Sequence, residues 1–138
     1  MSDTLAVGVG EAQRLLDETP FTRQLGLRVT ELGDGECALE APFQAAFERP
    51  GGLVSGQVFM AAADVAMWLA IKTRLGLADG SVTADMSTVF LGTARHETIH
   101  CAASILKWGR RLIVGTAECR NQAGLRLTHH TITYARGL

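Results

Sequence analysis

The chain is 138 residues long, enough for one domain with a proper core and too short for two ordinary ones. Apolar residues make up 47% and charged ones 20%, the balance of a soluble globular protein, and a formal net charge of −1 argues against nucleic acid or an anionic membrane surface as partner. The three cysteines, Cys37, Cys101 and Cys119, are odd in number, widely spaced and free of any CxxC pattern, which points to reduced thiols in a cytoplasm.

The stretch from Met1 to Leu16 has no basic segment leading into an apolar run, so no secretion signal is expected. Glu11 to Glu18 reads as a short amphipathic helix stopped by Pro20. Leu25 to Glu31 and Glu36 to Pro42 read as two strands, with Gly33 and Gly35 in a tight turn between them. Phe43 to Ser55 reads as loop, and Gly56 to Leu75 as one long helix ended by Gly76. Beyond it the period changes to extended chain over Ser81 to Leu91, Thr98 to Lys107, Leu112 to Arg120 and Leu125 to Ala135, an antiparallel meander. No linker, repeat or low-complexity segment divides residues 1–138, so one domain is expected, with residues 1–20 as an N-terminal extension.

The long helix is apolar nearly all round, so it must be enclosed, and a single sheet can enclose it only by curling around it. A second copy of the chain is expected to cover what remains. A membrane span is the poorer reading, because Asp64 would sit near the middle of Val54 to Ile71 at a cost of roughly 2.5–3.5 kcal/mol.

Several motifs carry little. The "GVG" at Gly8 to Gly10 has no preceding strand and no third glycine, so it is no dinucleotide fingerprint. Ser55 lies in GxxSG spacing rather than GxSxG, which argues against a nucleophile elbow. His96 and His100 fall on loop and strand and should diverge, while His129 and His130 point to opposite faces of a strand. They read as surface or rim histidines, and no metal is expected. The Arg110-Arg111 pair sits at a turn, either as solvated charge or as a contact to a phosphate-bearing ligand.

Asp64 is the one charged residue between Pro50 and Ile71. It reads either as a helix residue with a structural partner or as a working carboxylate, since a carboxylate in apolar surroundings is costly unless paired or used. Gly56 reads either as a close-packing site or as a helix start whose free N–H groups can polarise a carbonyl oxygen. Together they supply the parts for acyl transfer. Eight residues along a helix span about 12 Å, too far for one thioester to touch both in the same chain. Two antiparallel helices across a twofold axis would bring Gly56 of one chain beside Asp64 of the other. The spacing therefore predicts two sites at a dimer interface.

The segments "GGLVSGQVFMAAADVAMWLA", "VTADMSTVFLGTA" and "GRRLIVGTAECRNQAGLRLTHHTITYA" resemble the hotdog-fold acyl-CoA thioesterases, nearest the phenylacetate-degradation (PaaI-like) branch, over Leu25 to Ala135. The resemblance implies an α+β fold in which a curved antiparallel sheet wraps one long central helix, in homodimers or dimers of dimers. It implies hydrolysis of an aryl- or short- to medium-chain acyl-CoA, with no cofactor beyond the coenzyme A of the substrate. Gly56 matches the glycine whose amide polarises the thioester carbonyl. Asp64 matches the nucleophile or base contributed by the partner subunit, and Thr83 matches the hydroxyl residue that orients water. The family usually reads His-Gly-Gly where this chain has Ser55-Gly56-Gln57, and an upstream Asn or Gln is replaced by Arg49.

Arg49, Ser55, Gln57 and Trp68 are therefore expected at the substrate, with Arg110 and Arg111 on coenzyme A phosphates. Trp68, Met60, Met67 and Phe59 either line the acyl pocket or belong to the core. The hotdog dehydratases are disfavoured, because no histidine follows Asp64 and Ser55 removes the other candidate. Two alternatives stand beside hydrolysis: an acyl-CoA-binding protein without catalysis, and a dimerisation module in which Asp64 is merely paired.

Overall fold

The computed structural model describes residues 4–137; Met1 to Asp3 of the N-terminal extension and Leu138 lie outside the described residues. Two short helices open the chain, α1 over Val9–Glu18 and α2 over Pro20–Leu25. Pro20, expected as a stop, instead begins α2, where its missing N–H costs nothing and its ring presets the helical φ. Gly26 then closes α2 in the left-handed conformation at φ 62°, which delays the first strand to Arg28.

Strands β1 (Arg28–Gly33) and β2 (Glu36–Ala41) form the expected hairpin, with Gly35 at φ 70° in its turn. The segment expected as plain loop contains a single 3₁₀ turn at Ala45–Phe47 and a two-stranded ribbon of β3 (Glu48–Arg49) and β4 (Leu53–Val54). Helix α3 runs from Gly56 to Leu75. Ser55 caps it by accepting from the Gln57 N–H, while Lys72 and Arg74 complement the negative end of its dipole. Strands β5 (Val82–Phe90), β6 (Ile99–Trp108), β7 (Leu112–Arg120) and β8 (Arg126–Ala135) follow.

Six strands make one antiparallel sheet in the order β1-β2-β6-β7-β8-β5, and the sheet wraps α3. Val58, Phe59, Ala62, Val65, Ala66, Leu69 and Ile71 of the helix are buried against Leu39, Ile99, Ile113, Leu127 and Ile132. Gly115 permits the closest approach: a Cβ there would collide with the Met67 side chain and the Ser104 carbonyl. Met67 and Phe59 thus belong to the core.

The sheet does not enclose the whole helix. Gln57, Met60, Ala61, Asp64 and Trp68 recur at helical spacing and keep some exposure, so they form one uncovered stripe. Beside that stripe runs β5, whose outer edge pairs with no described strand. Among the described residues, no helix is long and apolar enough to cross a membrane.

Candidate active site

Asp64 stands midway along the uncovered stripe of α3. Thr83 Oγ1 donates to Asp64 Oδ1 at 2.8 Å, and the Tyr134 hydroxyl donates to the same oxygen, also at 2.8 Å. The Tyr134 hydroxyl also lies 3.1 Å from the Asp64 carbonyl oxygen. Thr83 and Tyr134 are directly paired across β5 and β8, so the pleat sends both side chains to the helix side. Asp64 Oδ2 makes no hydrogen bond among the described residues. Burial, reinforced by the charge of Asp64, pushes the Tyr134 phenol far above its ordinary range, which keeps it a protonated donor.

Gly56 lies two turns earlier, about 12 Å along the helix axis. Its N–H is one of the orphan donors of the helix start and finds no acceptor among the described residues. The Phe90 ring covers the Cα: a Cβ at position 56 would stand 3.0 Å from Phe90 Cε1. The structure thus brings Asp64 and Thr83 together in one chain and leaves Gly56 apart from them.

The other predicted residues are scattered around this line. Ser55 Oγ accepts from the Gln57 N–H at 3.4 Å, and Gln57 itself is exposed. Arg49 is exposed on β3. Trp68 sits one turn beyond Asp64, with the Lys72 ammonium 4.7 Å from its ring centroid. That ammonium is otherwise spent on the carbonyls of Leu77 and Asp79 at 3.1 and 3.2 Å, so it ties the chain leading into β5 back to α3. Arg110 and Arg111 lie in the β6–β7 turn, at the end of the sheet where Arg74 and Arg136 flank Trp108 at 5.0 Å each. In their own chain this is the far end of α3 from Gly56.

Two residues of this region were missed in the sequence, Tyr134 and Phe90. Tyr134 shares the helix-facing side of β8 with Thr128, His130 and Ile132, whereas Phe90 follows an irregularity between Thr83 and Asp85 that breaks the alternation of β5. His130 corrects the expectation of a rim histidine. It is fully buried, held by Thr88 Oγ1 at 2.8 Å and Thr128 Oγ1 at 2.7 Å, because its strand position faces α3. His96 and His100 diverge onto Glu48 and Glu40, at 3.0 and 3.6 Å. Among the described residues, no group of three or more His, Cys, Asp or Glu is placed to hold a metal.

A groove of about 660 Å³ opens on the sheet's outer face over Ala38, Ala102, Ser104 and Thr116. It contains none of the predicted site residues and faces away from α3, so it is not the site of the chemistry described above.

The sequence profile of the thioesterase superfamily matches residues 51–128, which include Gly56, Asp64, Thr83 and the Arg110-Arg111 turn. The chain is similar to a conserved protein of Pseudomonas aeruginosa, PA5202, at 27% identity and a TM-score of 0.83, covering 90% of this chain and 98% of that one. It shares its fold with the PaaI protein from the phenylacetic acid degradation operon of Escherichia coli, at 16% identity and a TM-score of 0.82, covering 92% and 91%. It shares that fold also with a hypothetical thioesterase of Streptococcus pneumoniae solved with coenzyme A, at 17% identity and a TM-score of 0.73, covering 80% and 85%.

Proposed function

Since the chain belongs to the thioesterase superfamily, we propose that it hydrolyses the thioester of an acyl-CoA in sites shared between two copies. The observation that carries this is the arrangement at Asp64: one carboxylate oxygen is held by two hydroxyls and the other is free, on an uncovered face of a buried helix.

The shared site follows from β5. Its edge is open, and Val89 and Phe90 on it are about half exposed. An open edge this long invites pairing with another strand. Thr83 near its start touches Asp64, and Phe90 at its end touches Gly56. Antiparallel pairing of β5 with its own copy brings the Phe90 end of one chain to the Thr83 end of the other. Gly56 travels with Phe90 and Asp64 with Thr83. Each site then takes a free amide from one chain and a carboxylate from the other.

In such a site the Gly56 N–H and the helix dipole stabilise the negative charge that develops on the thioester oxygen. Asp64 Oδ2 takes the proton from an attacking water, or attacks the carbonyl carbon itself to form an acyl intermediate that water then cleaves. Thr83 is a hydroxyl within reach of both the carboxylate and that water. Trp68 and Met60 on the same stripe would bound the acyl group. The same pairing carries the Arg110-Arg111 turn toward the Gly56 end of the partner, which suits contact with the phosphates of coenzyme A. The streptococcal relative solved with coenzyme A supports a carrier of that kind.

The test is thiol release from a panel of aryl- and alkyl-CoA thioesters, with Asp64→Asn run alongside. The expected result is turnover by the wild type and a loss of roughly 10²–10⁴-fold in the variant. Equal rates in the two would sink the role of Asp64. Silence from the wild type across the panel, with saturable acyl-CoA binding, would leave a binding protein on the same scaffold.

A further inference from the structure

We infer that Tyr134 is a positioning residue for the carboxylate of Asp64, fixing which of its two oxygens meets the substrate. This rests on the reading of Asp64 given above. Tyr134 is 3% exposed, on the helix-facing side of β8. Its hydroxyl meets Asp64 twice, at Oδ1 (2.8 Å) and at the main-chain carbonyl (3.1 Å). The first contact sets the rotation of the carboxylate; the second registers that turn of α3 against the sheet. With Thr83 donating to the same Oδ1 at 2.8 Å, the two lone-pair directions of that oxygen are both taken. Oδ2 is the oxygen left for a proton or a carbonyl carbon.

The phenol does not itself join the chemistry. Burial and the neighbouring carboxylate keep it protonated, so it takes up no proton from water. The two donors differ in how firmly they are held. Thr83 lies on the exposed edge strand, whereas Tyr134 is anchored between β5 and β7, paired with Thr83 on one side and Ile113 on the other. Tyr134 is therefore the fixed half of the clamp.

The experiment pairs kinetics with a spectroscopic readout that needs no activity. Tyr134 is the single tyrosine of the chain, so ¹³Cζ-labelled tyrosine gives one resonance. At one neutral pH this signal in the wild type should stand clearly apart from its position in Asp64→Asn, where the carboxylate that the phenol donates to is gone. Tyr134→Phe keeps the ring and its packing. With the best thioester of the panel it should lower kcat roughly 10- to 100-fold, the scale of one hydrogen bond to a charged group, and leave KM within about twofold. A resonance at the same position in the wild type and in Asp64→Asn overturns the inference. So does a Tyr134→Phe kcat within twofold of wild type, or an effect confined to KM. A resonance displaced between the wild type and Asp64→Asn, in a protein that releases no thiol from any thioester, would uphold the clamp and sink the hydrolytic reading instead.

Discussion

The Phe90 ring packs against Gly56, so close that a single added methyl group would stand 3.0 Å from it. The contact explains why a glycine opens α3, and it also separates two roles for that residue, the space it leaves and the N–H it offers. Gly56→Ala and Gly56→Pro both add the Cβ, but only proline removes the N–H. Proline is at home in the first position of a helix, and Ser55, at φ −61° and ψ 140°, already has the extended backbone that a following proline requires. Gly56→Pro should therefore fold, and its kcat should fall a further 10²–10³-fold, roughly, below that of Gly56→Ala. Equal rates in the two variants would mean that the amide stabilises no oxyanion.

The proposed interchain site makes a prediction about mixtures. Asp64→Asn and Gly56→Pro should each be nearly inactive alone. When the two are unfolded together and refolded, half of the dimers carry one intact site, and about a quarter of the wild-type rate should return. Steady-state thiol release on the mixed sample reads this directly. A mixture as silent as its components would place Gly56 and Asp64 of a working site in the same chain.

On the proposed reading, coenzyme A recognition should be separable from acyl recognition. Arg110→Ala combined with Arg111→Ala should raise KM for an acyl-CoA by about tenfold or more, as expected when charge-assisted contacts to phosphate are lost. KM for the same acyl group on N-acetylcysteamine, which has no phosphate, should not change. A parallel rise for both thioesters would remove the β6–β7 turn from the nucleotide.

Cys37 gives a prediction about stability and pH. Burial pushes its thiol up from 9.0 to about 12. A folded-state value above the unfolded one contributes stability that is complete below pH 9 and is lost as pH rises toward 12. Thermal midpoints should therefore fall over that window in the wild type and fall less steeply in Cys37→Ala. The native protein should also react slowly with a disulfide reagent at pH 8, since all three cysteines are buried. Equal slopes in the two proteins would show that Cys37 does not set the alkaline limit.

Much of this molecule was legible in order and period. The long apolar run with one carboxylate specified α3, and alternation specified β6, β7 and β8 to within a residue or two. The eight-residue interval from Gly56 to Asp64 set the two about 12 Å apart on one helix, which motivates a site shared between two copies. Local exceptions arose where backbone chemistry outweighed the pattern. Pro20 starts a helix instead of ending one, and Gly26 delays β1.

Tyr134 and Phe90 were not legible as site residues, because nothing near them in sequence marks them. Their positions follow from a register. The irregularity between Thr83 and Asp85 shifts the pleat of β5 by one residue, and only with that shift do Thr83, Met86, Thr88 and Phe90 all face the helix. His130 is a core residue because alternation along β8 puts it on the helix side with Ile132 and Tyr134.

The sequence by itself thus determined a helix too apolar to stand alone, a single carboxylate within its apolar run and a glycine at its start about 12 Å away. These are consequences of composition and spacing along one chain. Which hydroxyls hold Asp64, which of its oxygens is free and what lies against Gly56 were decided by the tertiary structure. Those contacts join residues 19 to 70 positions apart, and a pairing register, not a local preference, sets their distance.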